Sequence, residues 1–420
     1  MKKGLKLKSR KHSTRFKRIE KIPVPGEVLL HLDQHIGAPS RAMVNKGDKV
    51  KKGTMVAEAS EGCSAALHSP IAGIVKDIGP YPRLDGQISP AIAIKKSGDQ
   101  KKDYMEPVED ITPENIYERI RESGIVGMGG AGFPAHVKLK PPVEVITSFL
   151  NGCECEPYLT ADERIMDEEA KKIVRGFDYV RQAVGAREGV IGIEADKEDA
   201  IKSMKSFVAR HKNIRVEVVP KVYPQGYEKM LISKVTGREV PSGGLPHDVG
   251  VSVHNAATCM AVYESIAEGK PLIERVLTVS GNRMVKTGNV RVPLGVSFGE
   301  IIDYYDFQRS DSGFELFAGG PMMGTPVDSL EVPVEKTTSG ILINRARSIG
   351  SEPCIRCGKC VNVCPMGLVP QELNKYFEGL DYERIKEAGL EDCMECGSCT
   401  YKCPSDISLT YNFKIAKTKL

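Results

Sequence analysis

The stretch "PCIRCGKCVNVCPMG", residues 353–367, sets cysteines at Cys354, Cys357, Cys360 and Cys364, with a proline directly after the last. The arrangement returns as "CMECGSCTYKCPSD", residues 393–406, which holds Cys393, Cys396, Cys399, Cys403 and then Pro404. Both runs read C-x2-C-x2-C-x3-C-P, the spacing by which bacterial ferredoxins hold iron–sulfur cubanes. Three thiolates two residues apart on a tight loop reach three corners of one cluster. The fourth, followed by proline, points to the other cluster. The expected ligand sets are therefore Cys354, Cys357, Cys360 with Cys403, and Cys393, Cys396, Cys399 with Cys364. Structural zinc usually combines C-x2-C pairs and has no use for three evenly spaced cysteines plus a Cys-Pro, twice over. The crosswise sharing requires the two runs to pack back to back. The insert "PQELNKYFEGLDYERIKEAG" reads as a helix joining them, from the spacing of Leu373, Tyr376 and Phe377.

The rest of the composition bounds what surrounds this pair. At 420 residues, 41% hydrophobic and 27% charged, the chain has room for several domains with ordinary soluble cores. No apolar run approaches the roughly 20 residues that span a bilayer, and the N-terminus lacks the apolar core of a signal peptide. The expectation is a subunit that neither spans a membrane nor is exported, working peripherally if it works at one. Twelve cysteines would suggest disulfides in a secreted protein, but a chain of this size without an export signal is not expected to rely on them. Residues 1–21 carry ten Lys or Arg against the single acid Glu20. They read as a solvated, mobile tail or as a docking segment for anionic lipid or an acidic partner. No recognition motif continues the basic character, so nucleic acid is not expected.

Cubanes carry single electrons, and the middle of the chain offers a source for them. "TPENIYERIRESG" signals a helix with Thr112 as N-cap, Pro113 at the first helical position and Ile116 and Ile120 on one face. It runs into "GIVGMGGAGFPAHVKL", where Gly127, Gly129 and Gly132 formally satisfy G-x-G-x-x-G. That motif should follow a strand, and here it follows a helix, so the dinucleotide fingerprint is weak. Closely spaced glycines nonetheless let backbone N–H groups approach a phosphate or flat ring that side chains would obstruct. Polar groups also gather in "NGCECEPYLTADE", "YPQGYEKM" and "VHNAATC". Each alone reads equally well as a surface loop. Cys153 and Cys155 lack a second pair nearby and read as plain thiols, and Cys63 and Cys259 as buried small residues.

Taken in order, "GMGGAGFPAHVKL", "NGCECEPYLTADER", "YPQGYE", "VHNAAT" and the two cysteine runs resemble the C subunit of the Rnf complex, an ion-translocating ferredoxin:NAD+ oxidoreductase. The likeness spans nearly the whole chain and includes "QHIGAPS" and "GGPMMG". A more distant likeness is to the flavin- and NADH-binding subunit of respiratory complex I. The resemblance implies two [4Fe-4S] clusters, FMN and NAD(H), with Gly127, Gly129, Lys138, Asn151, Glu154, Gly226, Asn255 and Thr258 around FMN. It implies that Gly130, Phe133, Glu156, Tyr223 and Glu228 face NADH. On that reading Lys138 pairs with phosphate, and Asn255 and Thr258 donate to phosphate or ribityl oxygens. Phe133 stacks on adenine, and Glu228 accepts from ribose hydroxyls. No protein acid or base is required, because hydride passes between nicotinamide and flavin. Met128, Cys153 and Tyr227 depart from the complex I pattern, and the Gly-Gly-Ile-His-Pro opening of many Rnf C subunits is missing.

The implied architecture is multidomain α/β. Residues 1–21 form the tail, and 22–100 a β barrel-sandwich hybrid like that of lipoyl domains, without a lysine at the tip "EGCSAALHSP". Residues 105–268 form the FMN/NADH-binding α/β domain, 269–340 a β-grasp module with a glycine-rich connector, and 345–420 a helical bis-[4Fe-4S] ferredoxin-type domain. The implied partners are a ferredoxin-like subunit and membrane subunits, with the chain at the cytoplasmic face of the membrane. Two other readings stay open. One is a soluble NADH-dependent flavin/iron–sulfur reductase, either of the cobalamin-reductase kind or a donor to a dedicated reductase. The other is a relay adaptor whose flavin site has decayed.

Overall fold

The computed structural model describes residues 4–308, 313–346 and 350–420. Between Glu27 and Lys96, short strands broken by glycine and proline form two small antiparallel sheets. One is ordered 27–31, 88–96, 73–82, 49–50, and the other 41–42, 55–58, 67–68. Val28, Leu30, Val56, Leu67, Ile92 and Ile94 fill the space between them. The barrel-sandwich expectation holds.

The central unit is a four-stranded sheet of the stretches 214–219, 188–194, 147–151 and 251–255, in that spatial order and all parallel. Parallel strands covered on both faces read as continuous apolar runs, as "EGVIGIE" does. Strand 147–151 starts the chain path through this sheet, which runs outward on one side and returns to add 251–255 on its other side. The strand order therefore reverses between Asn151 and Asn255, which pair in register at the carboxyl ends. Such a reversal opens a crevice, the usual ligand position in an open α/β sheet. The expected helix after Thr112 spans Pro113–Glu122, with the Thr112 side chain accepting from Asn115 N.

A six-stranded mixed sheet follows, ordered 19–21, 288–293, 274–280, 340–345, 314–318, 325–327. Two expectations are corrected here. Gly340–Arg345 is an interior strand of this sheet, which therefore runs past residue 340, where the module with its glycine-rich connector was expected to end. The basic N-terminal segment is no tail either: Ile19–Lys21 pairs with Asn289–Arg291. Leu5 exchanges backbone hydrogen bonds with Tyr223, and Lys11 is buried. Lys11 Nζ donates to the Glu154 carbonyl at 2.5 Å, and Arg15 pairs with Glu163 and Asp196 at 2.7 and 3.1 Å. Internal carboxylates draw in Lys11 and Arg15, whereas Lys6, Lys8, Arg10, Lys17, Arg18 and Lys21 stay exposed.

The C-terminal region is helical around the core of Leu373, Ile385, Leu390, Ile407, Leu409 and Phe413. The insert expected as one helix is two, Pro370–Glu378 and Tyr382–Glu387. Leu380 takes a positive φ of 56°, and Asp381 caps the second helix by accepting from Arg384 N. No helix among the described residues is long and apolar enough to cross a membrane.

Candidate functional site

The glycine-rich stretch closes on itself above the crevice. Gly127 N donates to Phe133 O at 2.8 Å and Gly132 N to Gly127 O at 3.1 Å. Gly129, Gly130 and Ala131 form its exposed tip. A Cβ on Gly129 would meet Asn255 Cβ at 3.3 Å, so this loop lies directly against the end of its strand. Gly130 adopts φ +128° and has open space where a Cβ would point. That is the cradle a planar, phosphorylated ligand needs, and the residues present fit FMN on this count.

Several expected contact residues are tied up by the protein itself. Thr258 is buried; its hydroxyl accepts from Met128 N at 2.9 Å and donates to Val126 O at 3.2 Å. Asn255 caps the helix Ala256–Glu268 by accepting from Ala257 N and Thr258 N, and its amide donates to Asp162 Oδ2 at 2.6 Å. These two shape the glycine loop and the helix N-terminus rather than offering free donors, apart from the second Asn255 amide hydrogen. Asn151 donates to Gly226 O at 2.7 Å, and a Cβ on Gly226 would press on the Cys155 sulfur. Glu154 turns inward: its carboxylate accepts from Asp162 N and Glu163 N at 2.8 and 3.0 Å, capping Ala161–Glu168. Lys138 and Glu228 face each other at 3.3 Å, each about one third exposed, on the rim of the site. Phe133 is half-buried at the loop's exit.

Glu156 and Tyr223 depart further from expectation. Glu156 Oε2 accepts from Met322 N at 3.1 Å, and a Cβ on Gly320 would collide with this carboxylate. Burial raises its pKa to about 7, with the Met322 and Met323 amides and the Tyr223 hydroxyl opposing the rise. Tyr223 is 3% exposed. Its hydroxyl lies 3.4 Å from Glu156 Oε1 and 2.7 Å from the Cys396 carbonyl, to which it donates. The pair thus sits where the flavin-type domain meets the cysteine domain. Sequence order gave no sign of this placement.

Other features were also missed. Asp162 is raised to about 7 by burial, then by the nearby Glu154, and holds Asn255. The "QHIGAPS" loop of the barrel packs on the glycine loop, with Ile36 N donating to Gly132 O at 3.2 Å. Cys259 is buried as expected. Cys63 is not: it is half-exposed and donates to Ile36 O at 3.3 Å.

The two cysteine runs form matched halves. Gly358 and Gly397 have φ of 69° and 73° and open the short helices Lys359–Val363 and Ser398–Lys402. Cys364 and Cys403 end those helices with extended backbone, ψ 114° and 117°. Extension at each fourth cysteine turns its side chain away from its own loop. As a result Cys354, Cys357, Cys360 and Cys403 line one open recess of about 370 Å³, and Cys364, Cys393, Cys396 and Cys399 line another of about 350 Å³. Among the described residues no three His, Cys, Asp or Glu side chains converge closely enough for a single metal ion. Four thiols lining each recess are the donor set that suits an iron–sulfur cluster. Cys354 and Cys357 are exposed, whereas Cys396 and Cys399 are buried.

Comparisons with known proteins agree region by region. Residues 1–99 match the RnfC barrel sandwich hybrid domain, 120–264 the Nuo51 FMN-binding domain and 353–407 the 4Fe-4S dicluster domain. The C subunit of the proton-translocating ferredoxin:NAD(+) oxidoreductase complex of Clostridium ljungdahlii is 42% identical over 375 residues, covering 87% of this chain and 81% of the relative. The C subunit of the ion-translocating oxidoreductase complex of Rhodobacter capsulatus is 40% identical, covering 99% of this chain and 82% of the relative. Among solved structures, an NAD+-reducing [NiFe]-hydrogenase in the air-oxidized state shares the fold at TM-score 0.51 and 16% identity. That match covers 73% of this chain and 61% of the hydrogenase chain. The chain belongs to the family of C subunits of ion-translocating ferredoxin:NAD(+) oxidoreductase complexes.

Proposed function

We propose that this chain passes electrons between NAD(H) and a redox partner as the flavin- and iron–sulfur-bearing subunit of an Rnf-type complex. When bound, FMN supplies two-electron exchange with a nicotinamide and one-electron exchange with the cubanes, each of which carries one electron. The observation that carries the reading is one chain joining an open glycine cradle at a strand-order reversal to two crosswise cysteine quartets. The named relatives do not favour the soluble reductase or the flavin-less adaptor.

The residues then take these roles. Gly127, Gly129 and Gly130 would give backbone access to FMN, and the Asn255–Asp162 pair would brace the loop that holds it. Lys138, on the rim, is the cation for the phosphate and leaves Glu228 free to accept from the ribose hydroxyls of NADH. Phe133 supplies the surface for the adenine. Glu156 and Tyr223, expected to face NADH, belong to the wall of the site that adjoins the cysteine domain. The quartets Cys354, Cys357, Cys360, Cys403 and Cys364, Cys393, Cys396, Cys399 each hold one cubane.

The partners on this reading are a ferredoxin-like subunit and membrane subunits, with the chain at the cytoplasmic face. Contact with anionic lipid falls to a specific patch rather than to a tail. Phe16 and Val285, 72% and 92% exposed, project from two adjacent turns. Lys17 Nζ donates to Thr287 O at 2.7 Å and Thr287 Oγ1 to Ser13 O at 2.9 Å, which stitches the turns together. Lys17, Arg18 and Lys286 flank the two apolar tips in sequence. Flotation with vesicles containing anionic lipid should retain the protein more than neutral vesicles do, and Phe16→Asp should abolish the difference. Equal retention by both vesicles removes the lipid contact.

The central test is anaerobic. The protein loaded with iron, sulfide and FMN should lose both flavin and cluster absorbance when NADH is added. If dithionite bleaches the clusters while NADH changes nothing, the nucleotide site is wrong.

A further inference from the structure

The cysteine domain rests on the flavin-type domain through one of its two quartets. Leu5, Tyr223, Met230, Met394 and Cys396 form a buried apolar seam, with Met322, Val363 and Met366 packed against it. Three of these residues, Val363, Met394 and Cys396, belong to or adjoin the quartet Cys364, Cys393, Cys396, Cys399. Gly397 stands so close to the Met322 carbonyl that a Cβ there would lie 2.7 Å from it. Ser242 reaches across to Asp392 at 2.7 Å, beside Cys393. At the centre, the Tyr223 hydroxyl donates to the Cys396 carbonyl at 2.7 Å. The other quartet lies away from this seam. Its loop bonds within its own domain, through Glu352 N to Ser405 O and Ser405 Oγ to Pro353 O. Cys354 and Cys357 are exposed there, and Ile355 stands 67% exposed.

Resting on the functional reading above, we propose that the cluster of Cys364, Cys393, Cys396 and Cys399 is the one that exchanges electrons with the flavin site, and that Tyr223 is its positioning residue. One electron leaving the flavin site reduces this cluster. The cluster is reoxidised when the same electron passes to the cluster of Cys354, Cys357, Cys360 and Cys403, and from there to a partner at the exposed face. No bond or proton changes hands at Tyr223. The hydroxyl aims its positive end at the Cys396 loop, in a seam from which water is excluded, where an oriented dipole acts at low screening. A more negative, reduced cluster is favoured by that dipole, so removing the hydroxyl makes this cluster harder to reduce. The same bond fixes the loop against Glu156, whose other oxygen is held by Met322 N.

The test uses the loaded full chain and Tyr223→Phe, which keeps the ring and its packing. An anaerobic redox titration followed by electron paramagnetic resonance should show two clusters in both proteins, with one midpoint shifted to more negative potential in the variant. The shift should persist in a Cys354→Ser background, which retains the seam cluster, and vanish in a Cys393→Ser background, which retains the other. NADH should still reduce the remaining cluster of Cys354→Ser and fail to reduce that of Cys393→Ser. Midpoints unchanged in Tyr223→Phe, both shifted together, or NADH reduction surviving in Cys393→Ser would overturn the inference. A wild-type protein that binds no FMN, or fewer than two clusters, would instead refute the functional reading and the inference with it. Because Tyr223→Phe could loosen the seam, Tyr223→Leu serves as a comparison. A purely structural role predicts a larger shift for leucine than for phenylalanine, whereas loss of the hydroxyl alone predicts equal shifts.

Discussion

Thr258→Val tests how the glycine loop is held. Valine matches threonine in shape, so packing is kept while the hydroxyl is lost. That hydroxyl is the buried partner of both Met128 N and Val126 O, at 2.9 and 3.2 Å. Its removal orphans two backbone groups, each worth about 1 kcal/mol or more when buried and unsatisfied. The loop can recover those bonds from water only by lifting off the helix Ala256–Glu268, and a lifted loop no longer forms the cradle. The loss of about 2 kcal/mol corresponds to roughly 30-fold weaker FMN binding if the cradle must be closed to bind. Titration of deflavinated protein with FMN, followed by quenching of flavin fluorescence, measures it, and Thr258→Ser should bind as the wild type does. Cluster signals should be unaffected. Less than a twofold change would refute the clamp, and loss of both clusters in parallel would show that the helix, rather than the loop, had failed.

Further outcomes follow from the same contacts. Cys403→Ser lies in the second run, yet it should eliminate the cluster of Cys354, Cys357 and Cys360 and leave the other intact, as iron content and paramagnetic resonance will show. Loss of the other cluster instead would overturn the crosswise assignment. Lys336 is buried, donates to Ala66 O and Gly124 O at 2.7 Å each, and is pushed by burial from 10.5 down to about 7. Between these values the unfolded chain holds a proton that the folded chain releases. Stability present at high pH is therefore lost as pH falls from 10.5 toward 7, by up to about 1.4 kcal/mol per unit. Urea midpoints taken between pH 7.5 and 9.5 should rise with pH in the wild type and rise less in Lys336→Met; parallel slopes would contradict this. Lys11→Met strips a buried cation from Glu154, 3.9 Å away, and should cost about 3 kcal/mol. An unaltered thermal transition would return the N-terminal segment to a peripheral role.

The cysteine quartets were legible in the sequence because their geometry is local. Loops of two residues bring three sulfurs together, and Cys-Pro at each end extends the backbone so that the fourth is sent across. The helix after Thr112 was legible for a similar reason, since cap, proline and apolar spacing all lie within one segment. The glycine cradle could be read only in part. Four glycines announced close approach, but whether they met a strand end depended on the parallel pairing of Asn151 with Asn255, over a hundred residues apart. Thr258 and Asn255 looked like ligand donors because their chemistry permits it, yet their hydrogen bonds are spent on Val126, Met128 and Asp162.

The sequence by itself determined the cofactor chemistry, since ligand number, spacing and residue type are properties of short stretches. It also determined the family, through motifs kept in order along nearly the whole chain. The tertiary structure alone decided which quartet faces the flavin-type domain, that Tyr223 and Glu156 belong to the seam, and that Lys11 and Arg15 of the basic N-terminal segment turn inward. Each of those outcomes rests on burial and on partners far away in sequence. Lys11 meets Glu154 and Tyr223 meets Cys396 only because separate domains come together. A charge or hydroxyl has no sign of its own for inside or outside until the chain supplies its partner.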